Sequence, residues 1–325
     1  MSVMQPVILN SLGSWVRNTI LARRPNRIFA AATELLLLVI CLVWTGVPLA
    51  AQSSEAVGQE TEASEGFQRS WLGPDGNLLP FKNDSEILEF MRTAEVVKTK
   101  TISDGVTKPE KVLLEKDGVQ MNAVFRDVDV FKRKWKSADG LKLNFRDSCF
   151  FEIAAYEMAL LLGLDSVPPV LKRKIKGKDG SLQAWVEEAM TEKSRKKNDV
   201  TPPTPRFWML QYQIMYLFDN LLFNDDRNTG NILIDRDWGL WLIDHTRAFR
   251  PVSELKNASS IILCERGVWE KLKNLEDSVI EERLGEYLDT YEMKTLLARK
   301  QKMIEHVEEL FVKRGQDSVL FDLEQ

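Results

Sequence analysis

The sequence predicts an α+β protein with two unequal lobes, the first rich in strands and the second mostly helical. Short segments separated by turn signals fill residues 95–131 and return at residues 166–190, on either side of one helical segment. From residue 205 onward, apolar residues recur at helical spacing, with one hairpin between the helices. We therefore expect a β-rich lobe at residues 71–190 and a larger helical lobe at residues 191–325. Ligand sites favour the cleft between such lobes.

The first half begins with a predicted helix in "NDSEILEFMRTAEVV", capped by Asp84 or Ser85. The following segments, "EVVKTKTI", "PEKVLLEKDG" and "VQMNAVFRDVDVF", are typical of an antiparallel meander. "SCFFEIAAYEMALLLGLD" predicts a helix that ends at Gly163, because its apolar residues recur three and four apart. "SVPPVLKRKIKGKDGSLQAWVEEAM" predicts two strands around a Lys-Asp-Gly turn, followed by the connector between the lobes.

The second half opens with "TEKSRKKNDVTPPTP", which we expect to be a loop. Its basic residues are either a solvated charge run or a surface that attracts acidic substrates or phospholipid head groups. "RFWMLQYQIMYLFDNLLFN" predicts a long apolar helix, and "GNILID" with "GLWLIDH" predicts a hairpin. Beyond Gly267 the pattern is mostly helical.

The N-terminal residues 1–51 differ from the rest of the chain. A cluster of arginines precedes an apolar run from Leu35 to Ala51, which is about as long as a minimal membrane span. The positive flank predicts a cytoplasmic N-terminus, with the bulk of the protein outside the cytoplasm. A membrane anchor and a cleaved signal peptide both stay open, so the membrane is a predicted partner. The polar, acidic residues 52–70 are expected to form a flexible linker.

Charge and cysteine content narrow the class of protein. A formal net charge of −4 argues against a general nucleic-acid binder, whose affinity depends on an excess of Lys and Arg. Beyond the apolar run, the chain carries Cys149 and Cys264. In an exported protein these two either form one disulfide or remain two buried thiols.

The stretch "NDDRNTGNILIDRDWGLWLIDH" carries the candidate chemistry. Asp226 lies five residues before Asn231, and Asp244 follows thirteen residues after Asn231. The predicted hairpin would bring the last two side by side. Phosphoryl transfer requires a metal at the phosphates and a carboxylate that orients the acceptor hydroxyl. Magnesium prefers hard oxygen ligands, which carboxylates and an amide supply.

This spacing resembles the catalytic loop and metal-binding Asp of the protein-kinase-like fold. The variant "DRNTGN" is most similar to the atypical branches, namely phosphatidylinositol 3- and 4-kinases and HipA-type kinases. The resemblance implies that Asp226 is the catalytic Asp and that Asn231 and Asp244 hold Mg²⁺ or Mn²⁺, with ATP as co-substrate. It also implies a bilobal protein-kinase-like fold with a small β-rich N-lobe and a larger, mostly helical C-lobe.

A second resemblance covers "SCFFEIAAYEMALLLGLDSVPPV". This segment is similar to one in secretory-pathway kinases of the four-jointed and Golgi type, where a Glu precedes "IAA" and the helix runs into a "VPP" turn. The resemblance implies that Glu152 pairs with the cation that holds the nucleotide.

The expected nucleotide-binding residues are Gly105, Lys108 and Arg126, together with Glu152. Gly105 falls where a glycine loop would cover the phosphates. Arg126 stands where the relatives carry a lysine, and a guanidinium is longer and planar, so the exchange is not conservative. Lys108, Lys111 or Lys142 are the alternatives for the missing lysine.

The sequence thus predicts a kinase-like enzyme that moves the γ-phosphoryl group of ATP to a hydroxyl of a protein, lipid or sugar. The alternative is a pseudokinase, with the same fold used as a binding scaffold. His245, adjacent to Asp244, is expected to be a hydrogen-bonded structural residue.

Overall fold

The computed structural model of the chain describes residues 69–102, 108–137 and 140–323. Residues 63–325 form one compact unit. The predicted anchor or signal peptide at residues 1–51 lies outside the described residues, as does all but the end of the predicted linker. Within the described ranges, no helix combines the length and the apolar character needed to cross a bilayer.

A five-stranded antiparallel sheet forms the first part of this unit, with the strand order β1-β2-β3-β7-β6. Its strands are β1 (Glu95–Thr101), β2 (Glu110–Lys116), β3 (Val119–Arg126), β6 (Val170–Ile175) and β7 (Lys178–Ala184). Helix α1 (Asp84–Thr93) buries Ile87 and Met91 in the same hydrophobic core as the sheet. Its N-cap is Asn83, not the expected Asp84 or Ser85, because the Asn83 side chain accepts a hydrogen bond from the backbone amide of Glu86.

A second, two-stranded sheet stands apart from the first. It consists of β4 (Asp129–Ser137) and β5 (Gly140–Ser148), and so the predicted single segment "VQMNAVFRDVDVF" divides between β3 and β4. Helix α2 (Phe150–Leu162) follows and ends at Gly163 in the left-handed conformation, as expected from the sequence. Most of this helix is apolar and buried, and it packs against helices of the second part.

The second part is mostly helical. Its helices are α3 (Glu192–Lys197), α4 (Pro205–Leu222), α5 (Arg266–Asn274), α6 (Asp277–Leu284) and α7 (Thr290–Arg314). Its strands are β8 (Met190–Thr191), β9 (Ile232–Ile234), β10 (Leu240–Leu242), β11 (Cys264–Glu265) and β12 (Leu320–Phe321). The predicted hairpin is β9 with β10, and β8 adds a third antiparallel strand to it.

Two local predictions were wrong. The turn between β6 and β7 is Lys176-Gly177, where both residues have positive φ (51° and 82°), as a two-residue hairpin turn requires. Gly180 lies inside β7, and this position requires glycine because a Cβ there would stand 2.2 Å from the Arg126 carbonyl oxygen of β3. The segment expected to be a loop after Thr191 begins instead with helix α3. The Thr191 side chain accepts a hydrogen bond from the backbone amide of Ser194, and Glu192 forms an ion pair with Arg195.

The two cysteines are free and buried, so the buried-thiol alternative holds and the disulfide is absent. Burial raises the pKa of Cys149 to about 11 and that of Cys264 to about 12. Both are therefore thiols at neutral pH.

Candidate active site

The loop between α4 and β9 carries Asp226 and Asn231, and Arg227 holds this loop in place. The Arg227 Nε donates to Oδ2 of Asp219 in α4 at 2.9 Å. Its Nη1 donates to the carbonyl oxygens of Asn231 at 2.6 Å and Ile243 at 2.7 Å. One buried guanidinium thus ties the loop to α4 and to both strands of the hairpin, as expected of a structural arginine.

The hairpin brings Asn231 and Asp244 together, although they are far apart in sequence. Ile232 pairs with Leu242, and the Ile243 amide donates to the Asn231 carbonyl at 3.2 Å. Asp244 follows directly, with a φ of 60° that turns the chain out of the strand. The Asn231 Nδ2 donates to the Asp226 carbonyl at 2.9 Å, so its amide oxygen remains an available acceptor.

Arg126 at the end of β3 meets Glu152 in α2, which is one of the pairings that the resemblance left open. The Arg126 Nε lies 3.8 Å from Oε1 of Glu152, and both side chains are buried. Glu152 also accepts the His245 backbone amide at 2.9 Å. Burial opposes ionisation, but Arg126 and the hydrogen bonds from His245 hold the pKa of Glu152 below its ordinary value.

His245 is fully buried and lies between two charged groups. Its Nε2 is 2.8 Å from Nη2 of Arg227, and its Nδ1 is 3.3 Å from Oε2 of Glu152. A guanidinium has no acceptor, so Nε2 must accept and Nδ1 must carry the proton. The ring is therefore a neutral link between Arg227 and Glu152, which agrees with the structural role expected for it.

Asp244 stands among other carboxylates. Burial raises its pKa, Arg126 opposes the rise, and Glu152, Asp226 and Asp147 add to it. Its carboxylate accepts one weak hydrogen bond, from the Thr246 hydroxyl at 3.4 Å.

Asn231 and Asp244 carry an amide oxygen and a carboxylate, which are ligand types that a hard divalent cation accepts. One carboxylate and one amide oxygen have acceptor capacity to spare, and the local excess of negative charge favours a bound cation. Within the described ranges, no group of three or more His, Cys, Asp or Glu side chains is arranged to hold a metal. The fit therefore rests on Asn231 together with Asp244.

Arg247 joins the site, although the sequence reasoning missed it. Its Nη1 lies 2.8 Å from Oδ2 of Asp226, and its Nε lies 2.8 Å from Oδ2 of Asp147 in β5. The guanidinium therefore bridges the candidate catalytic carboxylate and the two-stranded sheet. Its position three residues after Asp244 gave no signal of this contact.

The lysines that could replace Arg126 as the partner of Glu152 either contact other residues or are exposed to solvent. Lys111 lies 3.7 Å from Glu187 and 3.9 Å from the centre of the Trp185 ring. Lys142 pairs with Asp225, and Lys108 is exposed. Among the described residues, Arg126 is thus the one Lys or Arg that pairs with Glu152. Gly105 lies outside the described residues.

No family model matches this sequence, and no curated protein matches it either. Solved structures do match. A hydra Fam20 structure with sugar is 17% identical, with a TM-score of 0.53 over 74% of this chain and 93% of that chain. A Golgi casein kinase structure is 17% identical, with a TM-score of 0.52 over 73% of this chain and 77% of that chain. The Helicobacter pylori proinflammatory kinase CtkA is 13% identical, with a TM-score of 0.46 over 69% of this chain and 98% of that chain.

At these identities the likeness concerns the fold and not the activity. It agrees with the order of elements, in which a sheet-rich part precedes a helical part. The chain therefore has an atypical protein-kinase-like fold.

Proposed function

We propose that this chain is a metal-dependent phosphotransferase that moves the γ-phosphoryl group of ATP to a hydroxyl of a protein, lipid or sugar. The observation that carries the proposal is the buried pair of Arg126 and Glu152, whose charges also act on the carboxyl of Asp244. Burying an ion pair costs desolvation free energy, so the pair by itself is weak evidence for a role in stability alone. A phosphate group between Arg126 and a metal at Asp244 would use this arrangement.

Each residue has a distinct proposed role. The fork of Arg126 binds phosphate oxygens, and Glu152 orients that fork. Asp226 orients the acceptor hydroxyl and takes its proton as the new phosphorus–oxygen bond forms and the bond from the γ-phosphorus to the bridging oxygen breaks, so that ADP leaves. Asn231 and Asp244 would hold Mg²⁺ or Mn²⁺, which would neutralise charge on the phosphates. Gly105 and Lys108 remain proposed nucleotide contacts from the loop between β1 and β2.

The proposal includes the organisation expected from the sequence. The lobes span residues 71–190 and 191–325, and ATP binds between them. We also propose that the N-terminal segment anchors the protein to a membrane or directs its export, with the bulk of the chain outside the cytoplasm.

The test combines binding and transfer. Residues 63–325 should gain thermal stability from ATP with Mn²⁺ or Mg²⁺, and should transfer labelled γ-phosphate to an acceptor or to themselves. Asp244→Asn should lose the metal-dependent gain and the transfer while keeping its cooperative unfolding. Asp237→Asn, an exposed change in the turn of the same hairpin, is the matched control and should behave as wild type. Wild-type transfer by Asp244→Asn would refute the site assignment.

A second candidate is a binding scaffold without transfer activity. Arg247 favours it, because its ion pair with Asp226 occupies the carboxylate that an acceptor hydroxyl would need. The presence of Arg126 where the relatives carry a lysine also favours the scaffold. Absence of both nucleotide-dependent stabilisation and transfer in the wild-type protein would support the scaffold.

A further inference from the structure

The hairpin formed by β4 and β5 exposes large apolar side chains. Leu141 is 64% exposed, Phe131 58% and Leu143 56%, and Val130 is also exposed. Soluble proteins scatter such residues singly, whereas several on one small element mark a contact surface. Leu141 and Leu143 lie on one face of this hairpin, and we call these two residues, with the cations described next, the hairpin surface.

The cations of the hairpin surface are Lys132, Lys134 and Lys136, which are all exposed and lie on one face of β4 because strand residues two apart share a face. None of them forms an ion pair with a carboxylate of the described residues. The strand register places Lys134 opposite Leu143 and Lys136 opposite Leu141. Cations and leucines are therefore direct cross-strand neighbours, and the surface is both basic and apolar.

The base of the hairpin is fixed, so its exposure is not that of a loose segment. Phe145 is 3% exposed, and its ring centre lies 4.0 Å from that of Trp135. Arg250 donates to the carbonyl oxygens of Leu143 at 2.9 Å and Asn144 at 3.2 Å. A two-stranded sheet is marginal alone, and these contacts hold it on the rest of the unit.

Protection against aggregation explains part of the pattern. Lysines on an exposed edge strand discourage pairing with another chain. That explanation accounts for Lys132, Lys134 and Lys136, but it does not account for Leu141 and Leu143, which increase the risk of association. A partner that takes both kinds of side chain explains the whole surface.

We propose that the hairpin surface docks on an anionic lipid bilayer. The cations would meet phosphate and carboxylate head groups, while Leu141 and Leu143, which share a face with Lys134 and Lys136, would enter the interfacial region beside them. An acidic polypeptide would satisfy the lysines but would leave the interleaved leucines in water. The proposal depends neither on the N-terminal apolar run nor on phosphotransfer.

The experiment measures the binding of residues 63–325 to vesicles by sedimentation. This part is a compact unit with two hydrophobic cores, and it lacks the N-terminal apolar run, which could bind lipid by itself. We expect binding to phosphatidylcholine vesicles that contain phosphatidylserine, weak binding to phosphatidylcholine alone, and loss of binding at high salt. Each lysine near an anionic surface contributes about five-fold to partitioning. The double variant Lys134→Glu with Lys136→Glu should therefore lose roughly 25-fold or more.

Leu141→Ser with Leu143→Ser tests the apolar part and should weaken binding without changing its salt dependence. The matched control is Lys98→Glu with Lys100→Glu, because β1 is another exposed edge strand with basic and apolar residues. Thermal unfolding confirms that each variant folds. Equal binding to neutral vesicles, an equal loss in the control, or capture of soluble polyglutamate without binding to vesicles would each overturn the proposal.

Discussion

The Nε of Arg126 and the Oε1 of Glu152 lie 3.8 Å apart, and the two side chains join strand β3 to helix α2 in a buried contact. Glu152 also accepts the His245 amide, one residue after Asp244. A single carboxylate therefore links the sheet, the helix and the end of the hairpin. Substitutions at either end of this pair should affect stability and nucleotide binding together.

We expect Glu152→Gln to lower the free energy of unfolding by about 3 kcal/mol, because it leaves the Arg126 charge buried without its partner. The affinity for ATP should also fall, since the guanidinium loses its orientation. Urea unfolding and a nucleotide titration measure the two effects. Arg126→Lys is the comparison, because it keeps the charge opposite Glu152. If Glu152→Gln matched wild type in both measurements, the pair would have no role in the site.

Arg227→Lys should destabilise the protein by about 2–4 kcal/mol, because a lysine cannot reach Asp219 and two carbonyl oxygens at once. The loop that carries Asp226 would lose its tie to α4 and to the hairpin. Chemical denaturation gives the stability, and hydrogen exchange at residues 224–231 reports on the loop. Arg236→Lys, an exposed change in the hairpin turn, serves as the control. Unchanged exchange in the loop would contradict the role of Arg227.

Arg247→Gln should increase phosphoryl transfer, provided that the chain is an active kinase. The Arg247 guanidinium stabilises the negative charge of Asp226 and so weakens its tendency to take a proton from the acceptor hydroxyl. The pair is partly exposed, so its strength is about 1 kcal/mol, which corresponds to roughly five-fold in rate. Initial rates at saturating ATP measure the effect, and the KM for ATP should stay unchanged. A fall in rate would instead indicate that Arg247 contacts the phosphates or positions Asp226.

Local signals predicted much of the molecule. Helix α2 was expected from its apolar spacing and from Gly163, and both features are present. The adjacency of Asn231 and Asp244 followed from a hairpin whose strands were visible in the sequence. Glu152 and Arg126 were placed by resemblance, and the structure brings them together. Thr191 is a favoured N-cap residue and Arg195 follows four residues later, so the start of α3 could have been predicted. The charged segment was instead expected to be a loop.

Long-range contacts explain what the sequence could not reveal. Arg247 reaches Asp226, 21 residues earlier, only after the positive φ of Asp244 has turned the chain. Gly180 looked like a turn residue, but the nearby Arg126 carbonyl from another strand is what requires glycine there. The hairpin of β4 and β5 was not expected, because its strand pairs lie apart from the main sheet.

The contact between Asp84 and Tyr156 gives a prediction about pH. The Tyr156 hydroxyl donates to Oδ2 of Asp84 at 2.9 Å. Burial raises the pKa of the Asp84 carboxyl above its ordinary value of 3.8, although the bond from Tyr156 opposes the rise. Between the ordinary and the raised pKa the folded state binds more protons than the unfolded state, so stability falls as the pH rises through this window.

Asp84→Asn should remove this pH-dependent cost, because an amide oxygen can still accept the Tyr156 hydroxyl. The stability of the variant relative to wild type should therefore increase from acidic to neutral pH, as measured by urea unfolding at several pH values. Glu86→Gln is the control on the same helix, since Glu86 is exposed and lacks the burial that drives the effect. A stability difference between Asp84→Asn and wild type that stayed constant across this pH range would show that Asp84 is ionised without cost.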